Sequence, residues 1–169
     1  MPLAPHRIER TPAVMAQDRR LDIPDRMKVA AVSGRHLEDS VRDAMFVEML
    51  RAFRRTGGIA REAEILDRCR RSRLPIAHPR SIEAMPICFE WGGRRWLPWF
   101  QFDASDMSLR TAPRRVIEEL SPVFDGWSLA VWLAAPNTWL DDTRPVDRLD
   151  EHLADVLQAA RADRFITAG

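Results

Sequence analysis

Residues 127–135 read WSLAVWLAA, and Pro136 follows directly. This stretch is apolar on every side of a helix, so it predicts a helix in the centre of a helical bundle that ends before the proline. Amphipathic stretches on both sides predict the helices that surround it, one opened by Pro113 and one that Pro145 restarts near the C-terminus. Their apolar positions are Val116, Ile117, Leu120, Val123 and Phe124 in the first, and Leu149, Leu153, Val156, Leu157 and Ala160 in the second.

Residues 87–102 read ICFEWGGRRWLPWFQF, and the period of the pattern changes there. Aromatic-rich flanks around Gly92 and Gly93 predict a β-hairpin, because paired glycines supply the positive φ that a primed turn needs. Pro98 has no N–H to donate, so its strand is expected to lie at an edge or to bend at that point. The predicted fold class is mainly α, a helical bundle with one β-hairpin and an extended N-terminal arm.

Three regions are predicted along the chain. Residues 1–36 carry four prolines without a sustained period and indicate a flexible arm. Residues 37–83 indicate a helical region of helix-turn-helix type, and residues 84–169 indicate the β-hairpin followed by a helical domain.

The helix-turn-helix interpretation depends on residues 37–75. Apolar positions recur there at three and four residues, which predicts a helix that Gly57 and Gly58 end and a second helix that starts at Ile59 and stops before Pro75. Two helices across a glycine turn indicate either a DNA-binding helix-turn-helix or a plain helical hairpin. The apolar positions are Val41, Met45, Phe46, Met49, Leu50 and Phe53 in the first helix, and Ile59, Ala63, Leu66 and Cys69 in the second.

Charge is distributed unevenly along the chain. Eight arginines stand against three acidic residues between positions 51 and 73, a local charge of +5, although the net charge of the whole chain is only +1. Residues 141–164 reverse the sign, with a local charge of −3. Opposite signs in two regions indicate two surfaces for two kinds of partner, phosphates for the first and a protein for the second. The candidate DNA-binding residues are Arg54, Arg55, Arg61, Arg68, Arg70 and Arg71.

No pattern typical of catalysis occurs. The four histidines lie far apart without an HxxxH or CxxC partner, so no metal site is predicted. Cys69 and Cys88 lie among apolar neighbours, which favours small core residues over nucleophiles. With two cysteines, no secretion-type segment and no membrane-length apolar run, a cytoplasmic location is expected. We therefore expect a binding protein that is not an enzyme and that uses no cofactor and no membrane.

Two segments resemble a known family. Residues 96–103 read WLPWFQFD, and residues 127–149 read WSLAVWLAAPNTWLDDTRPVDRL. Together they resemble the C-terminal toxin-binding domain of Xre/MbcA/ParS-type antitoxins, over about residues 86–165. The family pattern commonly has a glycine-rich turn after its Trp-Leu pair, whereas this chain has Asp141, Asp142 and Thr143.

The resemblance implies a bacterial antitoxin. Such a protein caps a RES-type toxin that degrades NAD and represses its own operon through an N-terminal DNA-binding region. Trp139 lies on a predicted loop, as either an anchor for a partner or a side chain folded back on the bundle. An alternative function is a stand-alone DNA-binding regulator that has no toxin and uses the bundle to dimerise, and a homo-oligomer is expected. The partner-binding residues that the resemblance implies are Pro136, Trp139, Leu140, Arg144, Pro145, Asp147 and Leu149.

Overall fold

The computed structural model describes the backbone of residues 25–71 and 87–169 and the side chains of residues 38–71 and 87–169. The chain divides into two compact units, Met1–Leu37 and Glu38–Gly169. In the first unit, the described part is the helical backbone of residues 25–37. The core, the sheet and the candidate site described below all belong to the second unit.

The described residues are mostly helical, which confirms the predicted fold class. Three short strands accompany the helices: β1 (Ile59–Arg61), β2 (Phe89–Trp91) and β3 (Arg94–Pro98). The helices are α1 (Asp25–Phe53), α2 (Glu62–Arg71), α3 (Thr111–Leu120), α4 (Gly126–Ala134), α5 (Pro145–Arg148) and α6 (Leu153–Ala168).

Helix α1 begins earlier than predicted, at Asp25 instead of Leu37. The last residues assigned to the flexible arm are therefore helical, while residues 1–24 lie outside the described part of the chain. The sequence showed no sustained period before Leu37, but a helix can extend beyond its periodic stretch once its C-terminal half is packed. The boundary predicted at residues 83–84 also lies outside the described residues.

The predicted second helix is interrupted at its start by strand β1. Gly57 and Gly58 adopt φ of +98° and +81° and reverse the chain after α1. The reversed chain pairs antiparallel with β3, with Ile59 opposite Pro98, and the Gly58 carbonyl accepts a hydrogen bond from the Trp99 N–H at 2.9 Å. Helix α2 consequently begins only at Glu62, so the described residues contain helix, turn, strand and helix where a direct helix-turn-helix was predicted.

The predicted β-hairpin is present. Gly92 and Gly93 have φ of +58° and +67°, the conformation that a primed two-residue turn requires, and Phe89 pairs with Trp96 across it. The sheet order is β1-β3-β2, so the strand that contains Pro98 is central. Pro98 is its last residue, and the chain bends there into a 3-10 turn over Trp99–Gln101.

The core lies between α1, the hairpin and helices α3 to α6. Leu129, Ala130 and Leu133 of α4 are fully buried. Trp127, Val131 and Trp132 are only half-buried, so the helix predicted to be buried on every side has one partly open face. Asp125 caps α4 by accepting a hydrogen bond from the Ser128 N–H at 2.8 Å. A hydrogen bond from the Ser128 hydroxyl, followed in effect by the one from the Ser128 backbone N–H, holds the pKa of the Asp125 carboxyl below its usual value.

Candidate partner-binding surface

The loop between α4 and α5 is closed by its own hydrogen bonds. The Asn137 N–H donates to the Thr143 carbonyl at 3.0 Å, and the Asp142 N–H donates to the Asn137 carbonyl at 3.0 Å. The Asn137 side-chain oxygen accepts from the Trp139 N–H at 2.9 Å and so caps the 3-10 turn Thr138–Leu140. Residues 137–143 therefore form a small closed loop that presents Trp139 in a defined position.

The turn that the family pattern makes with glycine is made here by two aspartates. Asp141 and Asp142 have φ of +53° and +56°, both in the left-handed region. Aspartate enters this region more readily than most residues with a side chain, because its short carboxylate can interact with the local backbone. Two aspartates are thus compatible with a tight turn at this position.

The Trp139 side chain is exposed to solvent and is also held in place by a hydrogen bond. Its side chain is 59% exposed, yet its indole N–H donates to Asp163 Oδ1 of α6 at 3.1 Å. The other oxygen of the same carboxylate accepts from Trp132 Nε1 at 2.7 Å and from Asn137 Nδ2 at 2.9 Å. One carboxylate on α6 therefore holds the loop, the central helix and the exposed indole together, so the indole is neither buried nor free to rotate.

The structure separates the seven residues that the resemblance implied into two groups. Pro136, Trp139 and Asp147 are exposed and Arg144 is half-buried, so these four are accessible to a partner. The remaining three are part of the core, with Leu140 and Leu149 each 2% exposed and Pro145 buried at the start of α5. Buried side chains have almost no surface to offer a partner, so the structure favours direct contact through the other four residues, and the partner-binding role of all seven stays a prediction.

Two depressions meet at Pro136 and Arg144. The first, which we call the α1–α4 groove, encloses about 690 Å³. The second, the polar depression, encloses about 550 Å³. The groove is lined by Val41, Ala44, Met45, Val47, Glu48, Met49, Arg51, Val131, Ala134, Ala135, Pro136 and Arg144, and the polar depression by Pro136, Asp142, Thr143, Arg144, Asp147, Arg148, Glu151 and His152.

The groove was missed by the sequence analysis. Val41 was predicted to face the core and is 59% exposed, and Val47, which was outside the predicted stripe, is 43% exposed. Leu50, another predicted core position, is also exposed, whereas Phe46, Met49 and Phe53 are buried as expected. The sequence did contain a signal for this groove. The apolar positions of α1 span a face of the helix that is wider than packing against one core would bury.

The six candidate DNA-binding arginines are all exposed, but half of them have partners. Arg61 forms an ion pair with Glu64, and Arg71 pairs with Asp67 at 2.6 Å. Arg68 lies over the Trp99 ring, 5.4 Å from its centroid. Hydrogen bonds from the Arg61 side chain and backbone lower the pKa of Glu64, so this pair stays charged at neutral pH. Arg54, Arg55 and Arg70 have no acidic partner among the described residues.

Two observations describe the thiol chemistry and the metal-ligand content of the described segments. Burial raises the pKa of the Cys88 thiol, which is the opposite of what activates a cysteine nucleophile. No cluster of three potential metal ligands occurs within residues 38–71 and 87–169. Across the same segments, no helix has the length and apolar character needed to cross a membrane.

Comparisons with family models, with curated proteins and with solved structures find no match to this chain.

Proposed function

We propose that this chain is an antitoxin-like binding protein that neutralises a RES-type, NAD-degrading toxin by capping it through the surface around Trp139. The observation that carries the proposal is the exposed indole of Trp139, held by Asp163. The resemblance of residues 86–165 to antitoxin toxin-binding domains supports the same choice of partner. The activity belongs in the bacterial cytoplasm, where the NAD that such a toxin consumes is found.

A tryptophan that is exposed and already ordered can bind a protein partner at a low cost in side-chain entropy. Binding normally requires ordering of side chains, at a cost of about 0.5–1.5 kcal/mol for each flexible one. The hydrogen bond to Asp163 orders the Trp139 indole before any partner arrives. Tryptophan is also among the residues that most often dominate the binding free energy of an interface. Trp139 therefore has the position, exposure and rigidity of a binding hot spot.

The charges beside Trp139 favour a partner with a basic surface. The polar depression contains the carboxylates of Asp142, Asp147 and Glu151 against the two guanidinium groups of Arg144 and Arg148. A toxin that binds NAD needs positive charge for the pyrophosphate, and complementary charge around its entrance would accelerate encounter. Inhibition by capping would be steric, so this chain would need no catalytic group.

The experiment is co-expression of this chain with a RES-type, NAD-degrading protein, followed by co-purification and a measurement of NAD consumption. Capping predicts a complex in which NAD consumption is suppressed. Trp139→Ala should raise the Kd by roughly 30-fold or more, since hot-spot tryptophans contribute about 2 kcal/mol or more. The variant should stay folded, because removal of one exposed hydrogen bond costs about 1 kcal/mol.

Phe165→Ala is the matched control. Phe165 is an aromatic residue more exposed than Trp139, and no hydrogen bond holds its side chain. The control should bind the toxin with nearly unchanged affinity. Failure to co-purify, or full NAD consumption in the presence of excess antitoxin, would exclude the capping proposal.

The stand-alone DNA-binding regulator is the alternative, and the exposed Arg54, Arg55 and Arg70 favour it. Binding through these side chains would be electrostatic and would weaken with salt, with a log–log slope of about −0.9 for each phosphate neutralised. If each arginine neutralises one phosphate, replacing all three by glutamine should make the log–log slope less negative by about 2.7. DNA binding that persists unchanged in this variant would exclude these residues as the contacts.

A further inference from the structure

The described part of α1 has an uncovered apolar face. Val41 and Val47 are exposed beside the α1–α4 groove, and the small side chain of Ala44 lies midway between them in sequence. Together with Val131, Ala134 and Ala135 of the opposite wall, these residues make a groove that is mostly apolar. A solvent-accessible apolar groove of this kind can accept the apolar surface of a partner.

The same stretch of helix carries opposite charges at its two ends. Glu38 is exposed at the first described turn, and Arg51 is exposed at the last turn. The Arg51 guanidinium contacts Glu48 on the same helix, but both side chains are more than half exposed and can accept a further partner. A helix that runs antiparallel to α1 and has the same charge distribution would bring opposite charges together at both ends.

We propose that the α1–α4 groove is occupied by α1 of a second copy of this chain, antiparallel to the first, around a two-fold axis near Ala44. In such an interface each residue meets the counterpart placed symmetrically about the axis. Val41 of one copy then faces Val47 of the other, and Glu38 of one copy lies near Arg51 of the other. Val41 and Val47 are centred on position 44 in the sequence, and Glu38 and Arg51 are centred between positions 44 and 45. One antiparallel register therefore brings both pairs together.

The size of the side chains agrees with this register. A helix can approach another closely only where the side chain at the crossing is small, and Ala44 supplies such a position on both copies. The groove needs a ridge of apolar side chains to fill it, and α1 presents that ridge next to the groove it lines. The surface is therefore complementary to itself, which favours a second copy over an unrelated protein.

This dimer does not depend on the proposed toxin binding. Trp139 does not line the groove, and Pro136 and Arg144 form the edge between the groove and the polar depression. Loss of the dimer and loss of toxin capping are therefore separable outcomes. The sequence analysis predicted a homo-oligomer without a copy number, and this proposal makes it a dimer.

The first test is the mass of the full chain in solution, measured by light scattering after size exclusion. A chain of 19.5 kDa should elute as a species of about twice that mass. Ala44→Glu should convert it to a monomer, because two carboxylates would meet at the axis. Ile166→Glu is the matched control, since it places the same charge on another exposed apolar helical position, and it should stay dimeric. A monomeric wild type, or a dimer that Ile166→Glu disrupts and Ala44→Glu does not, would overturn the proposal.

The second test fixes the register. A residue on a two-fold axis lies beside its own copy, so Ala44→Cys should form a disulfide-linked dimer on mild oxidation, within the Cα separation of about 4.4–6.8 Å that disulfides require. Val41→Cys mixed with Val47→Cys should cross-link as a heterodimer, while Val41→Cys alone should not. A charge reversal, Glu38→Arg, should weaken the dimer, and adding Arg51→Glu should restore it. Cross-linking of Val41→Cys to itself, or no rescue, would overturn the antiparallel register.

Discussion

Replacement of Asp163 by asparagine should loosen the Trp139 surface without removing any surface residue. The carboxylate accepts three hydrogen bonds, from Trp132, Asn137 and Trp139. An amide keeps one acceptor oxygen for the two donors at Oδ2, but its NH₂ group then faces the Trp139 N–H, so that bond is lost. Hydrogen bonds to charged groups contribute about 1.5–3 kcal/mol and neutral ones about 0.5–1.5 kcal/mol. The loss of one exposed bond and the weakening of two others should together cost about 2 kcal/mol.

The assay is urea unfolding followed by circular dichroism. With an m-value of roughly 2 kcal/mol/M, Asp163→Asn should lower the midpoint by about 1 M. The matched control is Asp142→Asn, which makes the same chemical change at an exposed carboxylate without a hydrogen bond to any described residue and keeps a side chain suited to positive φ. It should shift the midpoint by no more than roughly 0.25 M, equivalent to about 0.5 kcal/mol. Equal shifts in the two variants would refute the role assigned to the Asp163 carboxylate.

Three further predictions concern the core and the cap of α4. Gly126→Ala should destabilise the protein by several kcal/mol in the same urea assay, because the added Cβ would lie 2.1 Å from the Cys88 carbonyl oxygen. Asp125→Ala should cost about 1 kcal/mol at neutral pH. Because the pKa of Asp125 is lowered by folding, its contribution is present above about pH 4 and is lost as the pH falls below that, so wild type and variant should converge in acid. Gln101→Leu should be destabilising by about 2 kcal/mol or more, because the buried amide NH₂ donates to two backbone carbonyls that the leucine would leave unpaired. Removal of the unpaired Oε1 offsets part of this cost. Thermal unfolding measures the net change in stability.

The helical bundle and the hairpin could be predicted because their signals are local. An all-apolar helix such as α4 can only be stable when buried, and two adjacent glycines between aromatic runs specify a primed turn. Strand β1 could not be predicted. Its three residues are too few to show a period of two, and its pairing depends on β3, which lies far along the chain. When β3 is not considered, residues 59–61 are predicted to be the first turn of α2.

The candidate surface was predictable only in part. The resemblance implied Trp139 and Arg144 as partner-binding residues together with Leu140 and Leu149, and it could not separate the accessible pair from the buried pair, since a motif records which residues recur and not which way they face. The role of Asp163 has no local signal, because an acidic residue on an amphipathic helix is ordinarily solvent-facing. Its three donors come from other parts of the chain, and only the packing of α6 against the loop brings them together.

The β1–β3 pairing makes the two described segments of the second unit complementary halves of one structure. One segment supplies β1 and the buried face of α1, including Met49 and Phe53, while the other supplies the hairpin and the remaining helices. Neither half has a complete core alone. Two separately produced fragments, divided between residues 71 and 87, should therefore reconstitute on mixing, which would make this chain a candidate scaffold for a split reporter.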